Sequence, residues 1–388
     1  MIRVGFALIF ADGWLGGLNY FRNLLSAIYS LPDREIEVVI FTADNAGQNY
    51  LGELPDIEVV QSKMLRRHSF SWLIRKACQT LVGRDLFLER LLAKHRIQVL
   101  SHSDVLGRGA SIPSISWIPD FQHRHLPGFF TRKEIALRNR YFERLCDSSA
   151  CVLVSSFDAQ KDLKMMCPDC FAKSRVLQFV AAVNQENIPV LEELQRKYGF
   201  SGDFFLVPNQ FWTHKNHRVL LDALSILKKS GREVQVLATG NSHDYRQPRY
   251  FSELMNHANA EGVARNFKVL GVIPRRDLDG LTKYALALIN PSLFEGWNTA
   301  VEEAKTLGKS IILSDIAVHR EQDPDNALFF PPHDAGALAG AMRQLVEKGQ
   351  DRNKSGKNHH EDFLRRREKF AAGYQELVMK VAMSGSPS

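Results

Sequence analysis

A two-domain α/β protein, each half a parallel sheet covered by helices on both faces, is the fold class this sequence predicts. Three observations carry it. Short apolar runs alternate with amphipathic stretches almost from end to end, the order that parallel sheets require. At 388 residues the chain is too long for one ordinary core and suits two. The alternation breaks once, over the polar residues 183–200, and then resumes.

The elements follow in order. Residues 2–10 read as a first buried strand; they resemble a signal peptide superficially, but no small-residue cleavage pattern follows. Gly16-Gly17 reads as a turn, residues 19–29 as a helix and 37–41 as the next strand. Further strands are expected at 97–101, 114–118 and 150–154, with a charged helix at 132–146. Beyond the break come strands at 203–207, 234–238, 267–270, 285–289 and 310–313. The helix expected at 216–229 places Val219, Leu220, Ala223, Leu224 and Leu227 on one buried face. The division expected is 1–184, a linker at 185–200, 201–362, and a final helix with a disordered end at 363–388.

Composition narrows the function classes. Apolar residues at 45% and charged residues at 24% suit a soluble globular protein. Five cysteines, an odd and sparse set, do not read as a disulfide framework and fit a reducing cytoplasm. Cys167 and Cys170 have metal or redox spacing without a second pair at suitable separation, so no metal site is expected. No apolar run approaches a membrane span. A net charge of +7 is mild and, without a nucleic-acid motif, does not call for nucleic acid. Residues 61–80 are the exception in distribution: Lys63, Arg66, Arg67, Arg75 and Lys76 interleave with Phe70, Trp72, Leu73 and Ile74, and no acidic residue is present. Such a segment suits either an anionic membrane face, at the inner side of the membrane, or an ordinary solvated helix with one apolar side.

The most informative segment is 291–315, PSLFEGWNTAVEEAKTLGKSIILSD. A buried strand ends at Pro291, a loop carries Glu295 and Gly296, and a helix begins near Asn298 and Thr299. Thr299 and Glu302 have capping-box spacing, which accounts for Glu302. Glu295 and Glu303 are left over. A helix start offers N–H groups and a positive dipole end to phosphate, and flanking carboxylates suit hydroxyls on either side of it. The other reading is a pair of solvated helix-edge acids.

Glu295-Gly296-Trp297, then Glu303-Ala304, Gly308 and residues 311–315, resemble the E-x7-E signature of family 4 glycosyltransferases, a retaining family of the GT-B fold. Residues 271–274 and the strand at 285–292 match that family's order of elements. The resemblance implies a GT-B protein: two Rossmann-like domains facing a central cleft, the first for the acceptor and the second for a nucleoside diphosphate sugar. It implies a hexosyltransferase. The basic aromatic stretch at 61–80 favours a glycan or lipid-linked acceptor of a cell envelope, and protein groups are expected to neutralise the diphosphate with no metal or other cofactor. Glu295 would bind hydroxyls of the transferred sugar, Glu303 the ribose, and the amides of Asn298 and Thr299 the diphosphate, with Gly296 and Trp297 beside them. A nucleotide-sugar epimerase and a non-catalytic sugar-nucleotide-binding protein stand as alternatives on the same scaffold.

Other segments join this set. Lys215, after the first strand of the second half, is placed to reach a ligand at the sheet's C-terminal edge. Where the family carries an Arg about five residues earlier, this chain has Gln210 beside Asn209, so Gln210 as a neutral donor or His214 as another cation is expected to contribute. Gly240, closing the next strand, belongs to the same donor-binding set. Gly16 and Gly17 would bring backbone close to the donor phosphates. In the segment 116–127 the family's His-Asp pair is replaced by Pro119-Asp120, so Asp120, with catalytic and acceptor roles, and His123 are the acceptor candidates. Surface histidines in a plain loop are the alternative there.

Overall fold

The computed structural model describes residues 1–7, 15–43, 57–103, 105–186, 188–348 and 358–384. The chain forms two compact units, one from residues 1–123, 131–180 and 365–388, the other from 124–130 and 181–364. Asp12, Gly13 and Trp14, with most of the polar connection expected at 347–362, lie outside the described residues.

The first unit is built on a seven-stranded parallel sheet. Its strands are β1 (Ile2–Ala7), β2 (Ile36–Thr42), β3 (Glu58–Gln61), β4 (Val99–Ser101), β5 (Ser114–Ile118), β6 (Cys151–Val154) and β7 (Ser174–Val176), in the order β3-β2-β1-β4-β5-β6-β7. The register sets Val4 against Val38 and Phe6 against Ile40. The final helix, His359–Ser384, gives its C-terminal part to this unit: Tyr374 Oη donates to Ser101 Oγ at 2.8 Å, and Gln375 joins Asp33 O and Glu35 N.

The second unit has a six-stranded parallel sheet: β8 (Phe204–Pro208), β9 (Gln235–Thr239), β10 (Phe267–Gly271), β11 (Leu288–Asn290), β12 (Ile311–Ser314) and β13 (Ala327–Phe330). The order is β10-β9-β8-β11-β12-β13, so the crossover between neighbours β8 and β11 is a topological switch point. Alternate residues feed opposite faces. Phe205, Val207, Val236, Ala238, Ile289 and Ile312 enter one core, while Phe204, Leu206, Leu237, Leu288, Ile311 and Leu313 enter the other. Both faces are therefore apolar, which is why these strands read as continuous hydrophobic runs.

Several expectations are corrected. The first helix runs Leu15–Tyr29, so Gly16 and Gly17 lie in its first turn and not in a turn before it. Residues 185–200, expected as a linker, contain the helix Leu191–Tyr198, closed by Gly199 at φ +62°. Only Leu194 of that helix is buried, so its composition reads as polar linker. Cys167 and Cys170 form a disulfide, with the Cys146 sulfur close by, where composition suggested none. Among the described residues no helix is long and apolar enough to cross a membrane.

Candidate functional site

The site is built at the C-terminal edge of the second sheet, where the loops after β8 and β11 meet. After β8 the chain makes a short 3-10 turn, Thr213–Lys215, and Asn216 takes a left-handed conformation at φ +54°. The Asn216 side-chain amide donates to Pro291 O at 3.2 Å and Pro332 O at 2.8 Å, tying three loops together. Lys215 is thereby aimed at the loop after β11, and its Nζ donates to Glu295 Oε1 at 2.6 Å. Both side chains are largely covered, at 15% and 10% exposure, so the pair is screened little by water.

Glu295 Oε1 has further partners. Ser292 Oγ lies 2.7 Å from it and 2.6 Å from Asn290 Oδ1, and Asn298 Nδ2 donates to it at 3.3 Å. Asn290 Nδ2 reaches Asn209 Oδ1 at 3.4 Å, so buried side chains link the ends of β8 and β11. Asn209 Nδ2 is itself buried without an acceptor in the protein, leaving a donor at the strand end for another molecule.

The following helix, Thr299–Leu307, is capped one residue earlier than the sequence suggests. Asn298 is the N-cap, its Oδ1 accepting from Ala300 N at 3.0 Å, while Glu302 accepts from Gln322 Nε2 at 3.0 Å. The Asn298 backbone is held at two points: its N–H donates to Gln322 Oε1 at 3.2 Å and its carbonyl accepts from Gln322 Nε2 at 2.9 Å. The Asn298 amide expected to hold diphosphate is thus occupied by Gln322. His319 completes the clamp. Its Nδ1 lies 2.8 Å from Ser314 O, so that nitrogen carries the proton, and Nε2 faces Asn298 Nδ2 at 3.1 Å as acceptor. Burial lowers the His319 pKa, in keeping with this neutral tautomer.

Glu303, one turn inside the helix, forms a second ion pair: Arg275 Nη1 donates to its Oε1 at 2.6 Å, and Arg275 Nη2 lies 2.8 Å from Asp279 Oδ1. Burial pulls the Arg275 pKa down, but Glu303 and Asp279 together hold it above the ordinary arginine value. Asp277 and Asp279 stand in D-x-D spacing, yet Asp277 is taken by Lys197 and Tyr198, at 2.5 Å each, and Asp279 by Arg275.

His214 is not a cation here. It is 4% exposed, and burial, then Lys215 and Arg246, push its pKa well below the usual value. The positive group beside it is Arg246, whose Nη2 lies 3.5 Å from His214 Nδ1 and whose guanidinium is 5.2 Å from the Trp212 ring centre. Gln210 and Trp297 are partly exposed, as are Gly296 and Thr299. Gly240 serves packing: at φ +127°, a Cβ there would stand 2.5 Å from Asn209 O and 2.8 Å from Gln210 Cα.

The acceptor candidates belong to the first unit. Asp120 Oδ1 accepts from Gln122 N at 2.9 Å, an Asx turn opening the short helix Gln122–His125. His123 is 1% exposed, with Nε2 against Asn139 Oδ1 at 2.9 Å and its ring on Phe142, so the structure assigns it to packing and not to a surface contact. Gly16 is exposed and Gly17 buried. Sequence reasoning missed Arg275, Arg246, His319 and Gln322. No local signal marks them, because each acts on a residue more than twenty positions away or across a loop.

Residues 192–362 match the family model described as "Glycosyl transferases group 1". The chain is 25% identical over 162 residues to O-antigen chain mannosyltransferase B of Escherichia coli, covering 42% of this chain and 41% of that protein. It is 26% identical over 185 residues to serotype-specific mannosyltransferase WbdA of the same organism, covering 45% of this chain and 22% of that one. It thus spans less than half the length of these curated relatives. Among solved structures, Anabaena Alr3699/HepE in complex with UDP and glucose superposes with a TM-score of 0.71 at 15% identity, covering 98% and 100% of the two chains. Sucrose-phosphate synthase from Thermosynechococcus elongatus gives 0.70 at 16%, covering 99% and 100%. The fold is therefore GT-B, and residues 192–362, less than half of the chain, are similar to the glycosyl transferases group 1 family.

Proposed function

We propose that the protein is a retaining glycosyltransferase that moves a hexosyl group from a nucleoside diphosphate sugar to a hydroxyl of a cell-envelope glycan or lipid-linked acceptor. The observation that carries this reading is the pairing of Lys215 with Glu295 at the switch point between β8 and β11, with Arg275 paired to Glu303 one turn inside the helix that follows. Ligands of open parallel sheets bind at that edge.

Donor binding divides the first pair. The Lys215 ammonium turns to the diphosphate, where charge develops as the bond to the sugar breaks, and Glu295 accepts from sugar hydroxyls. Asn209 Nδ2 and Gln210 donate to the same region. Glu303 keeps one carboxylate oxygen on Arg275 and presents the other to the ribose. Asn298, its own amide satisfied by Gln322, fixes the loop, and the amide of Thr299 faces the anion. Asp120 of the first unit contacts the acceptor. The E-x7-E resemblance supports retention, with attack from the face that the diphosphate leaves and the departing phosphate as base. Protein cations neutralise the diphosphate, so no metal takes part. The reaction belongs on the cytoplasmic side.

Two relatives bear the word mannosyltransferase in their names, so mannosyl donors stand first in the test, with UDP-linked hexoses beside them. The experiment is a panel of nucleotide sugars read by thermal stabilisation and by slow release of UDP or GDP. One donor is expected to stabilise the protein, and Glu303→Ala to abolish that stabilisation. Stabilisation by no donor would sink the reading. Stabilisation without nucleotide release under any acceptor condition would favour a non-catalytic binding protein, and conversion of the donor without acceptor an epimerase.

A further inference from the structure

The Phe70–Val82 helix of the first unit has its faces reversed. At 100° per residue, Phe70, Leu73, Ile74 and Leu81 share one stripe of roughly 100°. An apolar stripe of this spacing ordinarily covers a core. Here it is the outer face: Phe70 is 80%, Leu73 53%, Ile74 42% and Leu81 87% exposed. The face turned to the rest of the unit carries the polar Arg75 and Gln79 beside the half-buried Trp72. Arg75, 5% exposed, donates through Nε to Asp85 Oδ2 at 2.7 Å and through Nη1 to Met64 O at 3.3 Å. Gln79 Nε2 donates to Val105 O at 3.2 Å.

The helix is well bounded, so the reversal is not fraying. Ser69 Oγ accepts from Trp72 N at its start, and Gly83, at φ +73°, closes its end. Exposed Val82 and Phe87 extend the apolar surface past it. A buried ion pair thus anchors the helix with its leucines outward, and a contiguous apolar patch of this kind marks an interaction surface.

Charge says what covers it. Residues 59–84 hold six basic side chains and no acidic one. Arg75 and Arg84 pair with Asp85 and Glu89; Lys63, Arg66 and Arg67, in the residues preceding the stripe, are exposed. A second copy packed on so small a patch would bring both sets of cations to one interface. An anionic bilayer meets the cations with lipid phosphates and takes the apolar stripe into its headgroup boundary. We propose that this surface docks the protein on an anionic lipid bilayer, with the Phe70–Val82 helix lying in the membrane plane. None of its residues enters the sugar-transfer site, so the proposal stands or fails apart from the proposed activity.

The test is co-flotation of the full chain with vesicles of phosphatidylcholine alone and with about one third phosphatidylglycerol. The protein is expected to float with the anionic vesicles, and at least ~10-fold more weakly with the neutral ones or in high salt. Leu73→Ser with Leu81→Ser should weaken anionic binding at least ~10-fold, since two apolar side chains no longer enter the boundary. Arg66→Glu with Arg67→Glu, which leaves the stripe intact, should do the same and serves if the serine variant does not fold. Absence of flotation, or equal flotation of all variants, would overturn the proposal. So would a dimer by sedimentation velocity that the serine variant dissolves while vesicles bind neither protein.

Discussion

The two units share a sheet plan and differ in what their loops carry. In each, the central strand is flanked by its two successors on one side and by later strands on the other, β3-β2-β1-β4 in the first and β10-β9-β8-β11 in the second. At the edge of the second sheet, charged side chains converge: Lys215 with Glu295, and Arg275 with Glu303. In the first, the polar groups around β4 are neutral and sealed by aromatic rings. His102 bonds Tyr20 Oη at 2.7 Å and Ser101 Oγ at 2.8 Å, with Phe6 stacked on it at 5.5 Å. One architecture thus supports a charged site in one copy and a packed core in the other, because chemistry resides in loops and not in the sheet.

The largest expected effect breaks this contrast outright. Lys215→Ala should lower transfer at least ~100-fold, because it removes a cation from a developing anion, and it should also lower the unfolding temperature, because Glu295 is left largely covered without its cation. Turnover by this variant within a few-fold of the unmodified protein would remove Lys215 from its proposed role. Gly240→Ala should instead cost stability. Its Cβ would meet Asn209 O at 2.5 Å in a conformation that disfavours side chains, and the expected loss is about 2 kcal/mol or more in urea unfolding. Gly16 of the first unit is the counterpart, with nothing within 4 Å of an added Cβ.

A smaller effect follows from buried imidazoles. Burial pushes His217 down to about 3 and also lowers His214 and His319, all in the second unit; His102, also at about 3, represents the first. Unfolding returns each to an ordinary value near 6.5. The unfolded chain then binds more protons as pH falls below about 6.5, so stability declines there, by about 1 kcal/mol per pH unit for His217 and for His102, with His214 and His319 adding in the same direction. Hydrogen exchange at pH 7.5 and 5.5 should show the second unit losing more protection than the first. Equal losses would mean that the three histidines are not neutral in the fold. His319→Ala should also lower transfer several-fold, through Asn298 and Glu295, beyond its effect on stability. Rescue of transfer by His319→Gln, whose amide can still accept from Asn298, would separate positioning from bulk. The smallest effect is that of Gly16→Ala. Placed in a helix turn with open space around it, it should leave stability equal or raised by up to ~1 kcal/mol. A drop in donor affinity without a drop in stability would support the close backbone approach proposed for the glycines.

The sequence by itself determined the α/β class, most strands, the loop positions of Lys215 and Glu295, and the place of Glu303 one turn inside the following helix, since periodicity and strand-end spacing are local properties of the chain. It left the helix at Leu191–Tyr198 looking like a linker, because a short helix that buries one leucine has the composition of a loop. It also set the capping box at Thr299, where two residues compete for one cap and Gln322 decides in favour of Asn298. Only the tertiary structure joined Lys215 to Glu295, eighty positions apart, or Arg275 to Glu303. Only it turned the stripe of the Phe70–Val82 helix outward, because the same periodicity fits either orientation until Asp85 claims Arg75. Spacing along one element fixes which residues share a face; what that face meets depends on residues distant in the chain, brought there by the packing of the whole unit.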